Sequence, residues 1–168
     1  MQYYKILNMK KLLFSLIALA LVFSCAGPET SPVQAEMEAY AKAHIDNPGS
    51  YKFDHMGVEK EYKYVNDLFS YRQGLEEQAA KASESDKAAY EAEIAKVDEL
   101  FGEVGYEVAC NEYSLYFWYL GSPSGKLKLQ GVVVARYDSD GNLIEMTMDP
   151  SSLPTYPALR MLKDQGKL

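Results

Sequence analysis

Cysteine and histidine are nearly missing from this chain. With two of each in 168 residues there is no disulfide framework, and beyond the N-terminal stretch the soft metal ligands are His44, His55 and Cys110. Zinc sites use closely spaced pairs such as CxxC or HExxH. Neither spacing occurs here, so no metal and no other cofactor is expected. Basic residues are also few, 17 Lys and Arg against 24 Asp and Glu. All the acidic residues and 14 of the basic ones follow residue 25, which gives that part a formal charge of −10. Nucleic acid and anionic lipid both recruit clustered Lys and Arg, so this balance argues against either as a partner. Long apolar runs are missing too. Residues 12–23, broken only by Ser15, are 12 residues long, short of the ~20 that cross ~30 Å of hydrocarbon.

That run does have a role. Lys10 and Lys11 precede it, and Ser24-Cys25-Ala26-Gly27 follow it. A secretory signal has a basic start, an apolar core of about 7–15 residues and a small residue before the cut. Val22-Phe23-Ser24-Cys25 resembles a lipobox in the looser form seen in Bacteroidetes. The resemblance implies a signal peptide over residues 1–24, cleavage between Ser24 and Cys25, and lipidation of Cys25. Met9 is the better start, since residues 1–8 add nothing that a signal requires. Two or more acyl chains make a stable anchor where one is marginal. The membrane would then be engaged through the N-terminal lipid. Ala26 stands where Asp would, by similarity to lipoprotein sorting rules, retain a protein in the inner membrane. The outer membrane is therefore expected, with periplasmic and surface-facing placement both open. Lipidation would consume Cys25 and leave Cys110 without an intramolecular disulfide partner.

Residues 25–30 read as the lipidated cysteine and a tether, and residues 31–168 as a single α+β domain. Ser31-Pro32-Val33-Gln34 has the pattern of a helix start, with Pro32 at the first helical position. Val33, Met37, Tyr40, Ala41, His44 and Ile45 then share one helical face, and Asn47-Pro48-Gly49-Ser50 ends the helix. Residues 51–65 read as a strand broken near Gly57. Two apolar stripes follow, Leu68, Tyr71, Leu75, Ala79 and Ala82, then Tyr90, Ile94, Val97 and Phe101. Ser83 or Ser85 between them can cap a second helix, which gives a long helical hairpin; the alternative is one helix of about 50 Å at 1.5 Å per residue. The hairpin lets each stripe bury itself against the other. From Val104 onward alternation sets in and predicts a three-stranded antiparallel meander. A phase shift predicts a bulge near Asn111 and Glu112. Turns fall at residues 121–125 and at Asp138-Ser139-Asp140-Gly141, where Gly141 suits positive φ. The fold class is α+β: N-terminal helix, strand, helical hairpin, then a meander forming a sheet packed on helices.

This layout resembles a family of small Bacteroidetes outer-membrane lipoproteins with no established activity. They share the lipoprotein signal, a short helix ending in a motif like Asn47-Pro48-Gly49-Ser50-Tyr51-Lys52-Phe53, a charged helical middle, and a hairpin like Tyr137-Asp138-Ser139-Asp140-Gly141. Residues 116–121 depart from them, lacking an Arg-Ala-x-Asn-x-Phe-Gly-like stretch. The resemblance implies a lipid-anchored envelope protein and brings no catalytic residue with it.

Candidate chemistry is sparse. Asp138, Asp140, Asn142 and Asp149 mimic a calcium loop, but Leu143 and Asp149 occupy the positions that want Gly and Glu. A plain turn accounts for the same residues. His44 is expected to pack in the core and His55 to lie on a strand edge. In Gly121-Ser122-Pro123-Ser124-Gly125, Pro123 stands where a nucleophile elbow needs Ser. The distinctive stretch is aromatic on both faces: Tyr113, Leu115, Phe117 and Tyr119 on one, Tyr116, Trp118 and Leu120 on the other. One face is core. The other is either covered by the helical hairpin or the tail, or left as a contact surface centred on Tyr116 and Trp118. The expected function is a non-enzymatic envelope lipoprotein contacting a protein partner, with a binding module for a small apolar or glycan ligand as the alternative.

Overall fold

The computed structural model describes residues 30–121 and 125–168. The signal peptide, Ser24, Cys25 and the turn residues 122–124 lie outside the described residues. The chain divides into two units, Met1–Pro32 and Val33–Leu168, and the architecture below is that of the second.

The domain is α+β. Helix α1 (Pro32–Ala43) and a 3-10 turn (Pro48–Ser50) lead into β1 (Lys52–Lys63). Two helices, α2 (Tyr64–Ala79) and α3 (Glu84–Val104), form the hairpin expected from the two stripes. Strands β2 (Val108–Gly121), β3 (Leu127–Asp138) and β4 (Leu143–Thr147) follow, then a second 3-10 turn (Pro150–Ser152) and α4 (Pro157–Asp164). The sheet is antiparallel in the order β1-β2-β3-β4.

Local sequence accounts for the boundaries. Ser83 is the extended residue before α3, and Gly141 has φ of 84° in the β3–β4 turn. In the turn motif, the Ser50 hydroxyl donates to Asn47 O at 2.7 Å and accepts from Leu120 N at 2.9 Å. One serine thus ties the end of the helix segment to the far end of β2.

Two cores result. In the first, Met37, Ala41 and Ile45 cover Leu115 and Phe117 of β2 and Val133, Ala135 and Tyr137 of β3. The Phe117 ring lies against Gly131, its cross-strand partner, where a Cβ would overlap the ring. In the second, Tyr64, Leu68 and Leu75 of α2 meet Val97 and Leu100 of α3, Ala158 and Leu162 of α4, and Ala109 of β2. Each fully buried Val, Leu, Phe or Met among them contributes about 1.5–3 kcal/mol, and each alanine less.

The structure corrects four local expectations. Strand β1 is not broken at Gly57, which pairs with Ser114; its irregularities fall at residues 53–55, 58–60 and 62–63. The irregularity expected in β2 at Asn111 and Glu112 falls at Ala109 instead: Tyr62 and Lys63 of β1 pair with Cys110 and Val108, leaving Ala109 as the extra residue, while β2 pairs with β3 without a shift from Cys110 to Gly121. The shift opposite Tyr113 and Glu112 lies in β1. Alternation changes phase because Ala109 and Cys110 are both buried, the strand being covered on both faces at that end. Helix α3 runs to Val104 and leaves Tyr106 exposed in the connection, so the meander starts at Val108. His44 is exposed past the end of α1, stacked on Tyr40 with ring centres 4.0 Å apart. The α1 face that reaches the core is narrower than six residues, and only Met37, Ala41 and Ile45 are fully in it.

Candidate functional site

Helix α1 takes the face of β2 that carries Leu115 and Phe117. The opposite face is organised in cross-strand rows: Lys52, Trp118 and Gln130; His55, Tyr116 and Val132; Gly57, Ser114, Val134 and Thr147; Lys60, Glu112, Arg136 and Glu145. Neither hairpin helix closes it. The chain after β4 crosses its charged end, where Pro154 O accepts from Arg136 Nη1 at 2.9 Å. Between the sheet and this segment lies a hollow of about 400 Å³, bordered by Lys60, Ser114, Tyr116, Val132, Val134 and Leu153 among others.

Arg136 closes one end. Its side chain is 4% exposed; Nε donates to Glu112 Oε2 at 2.7 Å and Nη1 to Glu145 Oε1 at 2.8 Å. Nη2 lies 3.3 Å from the Tyr62 hydroxyl, and that hydroxyl donates to Glu112 Oε2 at 3.2 Å. Arg160 binds the other oxygen of Glu145 at 3.1 Å. Burial works against the guanidinium charge, but the two carboxylate hydrogen bonds outweigh it and raise its pKa above the ordinary arginine value. Arg136 and Arg160 thus face Glu112 and Glu145, with Asp164 also 3.7 Å from Arg160, and the cluster joins β2, β3, β4 and the tail.

At the other end Trp118 is half-buried, with the Lys128 ammonium 4.3 Å from its ring centre. Lys52, its cross-strand partner, helps to line a second hollow of about 250 Å³ beside it. Tyr116 is half-buried too and stacks on His55 at 4.5 Å. His55 lies on edge strand β1, as expected. Ser114, between the two ends, is 2% exposed and lines the larger hollow, and its hydroxyl makes no hydrogen bond among the described residues.

The remaining candidates fall to structural roles. Burial pushes the Cys110 thiol up to about 11, with Arg136 pulling it partly back. Asp138 Oδ1 accepts from Asp140 N at 3.0 Å and Asn142 N at 2.8 Å, and Oδ2 from Asn142 Nδ2 at 3.0 Å. Asp149 Oδ1 accepts from Ser151 N at 3.1 Å and Ser151 Oγ at 2.6 Å. These carboxylates are consumed by their own turns. Among the described residues, no group of three or more His, Cys, Asp and Glu could hold a metal ion.

Sequence reasoning singled out Tyr116 and Trp118 but missed Arg136, Glu112, Glu145 and Ser114. A signal for Arg136 was present: one arginine inside Val132-Val133-Val134-Ala135-Arg136-Tyr137 has to be paired if that strand is buried. Its two partners come from other strands and carried no signal of their own. Comparison of the chain with protein-family models, with curated proteins and with solved structures finds no match.

Proposed function

We propose that this protein is a lipid-anchored component of the bacterial outer membrane that acts by binding a protein partner rather than by catalysis. Its recognition surface is the face of the sheet opposite α1. The observation that carries this reading is the pair Tyr116 and Trp118, large half-buried rings on a face that no helix covers among the described residues. Such rings bury much area at low entropic cost and dominate contact energies when a partner seals them from water. The lipobox-like Val22-Phe23-Ser24-Cys25 and the likeness to small Bacteroidetes lipoproteins support the anchor and the compartment.

Two measurements test it. Labelled palmitate should enter the wild-type protein and not Cys25→Ala. A native pulldown from outer membranes should lose the partner when Tyr116 and Trp118 are both changed to Ala; unchanged recovery removes this face from consideration. A second reading, a module for a small ligand, is favoured by the 400 Å³ hollow on the same face, a volume within the ~300–1,000 Å³ of ligand pockets.

A further inference from the structure

The larger hollow is polarised along its strands. Its charged end is the row of Lys60, Glu112 and Arg136; its apolar end is Tyr116 and Val132; Ser114 and Val134 lie between. Glu112 and Arg136 neutralise one another. Lys60 does not share in that balance. It is exposed, it forms no ion pair among the described residues, and its ammonium rests 4.1 Å from the centre of the Tyr62 ring. A cationic ligand would meet Lys60 there and would find Glu112 already engaged by Tyr62 and Arg136. An anion meets one available ammonium.

The floor adds a second, independent observation. Ser114 is 98% buried, borders the hollow and has no hydrogen-bond partner among the described residues. The hydroxyl opens on the hollow rather than being sealed from water, so a polar atom of a ligand seated above it can take the place of solvent there. Val132, Val134 and Leu153 supply an apolar wall beside it.

We infer that this hollow binds a small amphipathic carboxylate. Its anionic group pairs with Lys60, its apolar body lies on Val132, Val134 and Tyr116, and a polar atom bonds the Ser114 hydroxyl. The inference deepens the small-ligand reading of the open face and rests on it.

The test titrates the full-length protein in phospholipid nanodiscs with 4-phenylbutyrate and, separately, with the neutral 4-phenylbutan-1-ol, followed by methyl NMR. Saturable shifts are expected at Val132, Val134 and Leu153, with the acid binding at least tenfold tighter than the alcohol. Lys60→Gln should abolish that preference and Lys60→Arg should keep it. Both substitutions are on an exposed position of an edge strand, so the fold survives them. Ser114→Ala should weaken the acid several-fold. Equal binding of acid and alcohol at these methyls would overturn the carboxylate assignment while leaving a ligand hollow. Absence of any saturable shift would overturn the hollow as a ligand site. An acid preference unchanged in Lys60→Gln would overturn the role of Lys60. None of these outcomes alters partner recovery by Tyr116 and Trp118, which the pulldown measures separately.

Discussion

Asp67 of α2 caps a helix that begins 90 residues later in the chain. Its Oδ2 accepts hydrogen bonds from Ala158 N at 2.9 Å and Leu159 N at 3.2 Å, the first turn of α4. The residue before α4, Tyr156, supplies no side-chain cap of its own, so the buried Asp67 satisfies donors that would otherwise be orphaned. Asp67→Ala should cost about 1–3 kcal/mol, read by urea unfolding. Asp67→Asn, which keeps an acceptor oxygen, should cost less. Burial raises the Asp67 pKa, with the bonds from Leu159 and Ala158 pulling it partly back. The folded state therefore holds the proton more tightly than the unfolded chain. The stability of wild type relative to Asp67→Asn should be greatest below the unfolded aspartate pKa of about 4 and fall as pH rises through the folded value. A difference that instead grows with pH would reverse this assignment.

Gly131 makes room for Phe117. A methyl group there overlaps the ring, which is fully buried between β3 and α1. Overpacking of this kind costs about 1–3 kcal/mol, so Gly131→Ala should lower the urea midpoint accordingly. Gly57 provides the control. It lies in β1 with open space where a Cβ would be, and Ala there should be neutral or stabilising by roughly 0.5 kcal/mol.

Tyr51 and Tyr137 should respond oppositely to loss of their hydroxyls. The Tyr51 hydroxyl is buried with no hydrogen-bond partner among the described residues, and burial drives its pKa well above the usual tyrosine value. Tyr137 donates to Glu36 Oε2 at 2.8 Å. Tyr51→Phe should leave stability unchanged or raise it by up to about 1 kcal/mol, whereas Tyr137→Phe should cost about 1 kcal/mol. Equal losses in the two variants would mean that Tyr51 has a partner.

Arg136 is the counter-charge for two carboxylates at once. Arg136→Met leaves Glu112 and Glu145 on neighbouring strands without it, in side chains only 15% and 17% exposed. Removing one member of a buried pair costs about 3–5 kcal/mol, while replacing the whole set with neutral groups costs far less. Adding Glu112→Gln and Glu145→Gln to Arg136→Met should therefore recover much of the loss in urea unfolding. A single variant losing under about 1 kcal/mol would show that the network carries little.

How much of this could be read from the chain depended on range. The helical hairpin was legible because two apolar stripes with serines between them are a local pattern, and Gly141 marked its turn for the same reason. Strand β2 was legible as strand but not in its faces, because it buries both sides near Cys110 and one side near Phe117. His44 was misplaced because helical periodicity continues past the point where the backbone leaves the helix at Ala43. The candidate site was half legible. Tyr116 and Trp118 announce themselves within one strand, whereas Lys60, Ser114 and Val134 meet only once the register of three strands is set.

One consequence of the shared strand reaches beyond any single contact. β2 gives Ala109 to the second core and Leu115 and Phe117 to the first. Freeing either core therefore strips one end of the same hydrogen-bonded ladder. The helical hairpin and the α1 layer are thus coupled as one foldon, and the amides of Ala109 and Leu115 should exchange with deuterium through a common opening event.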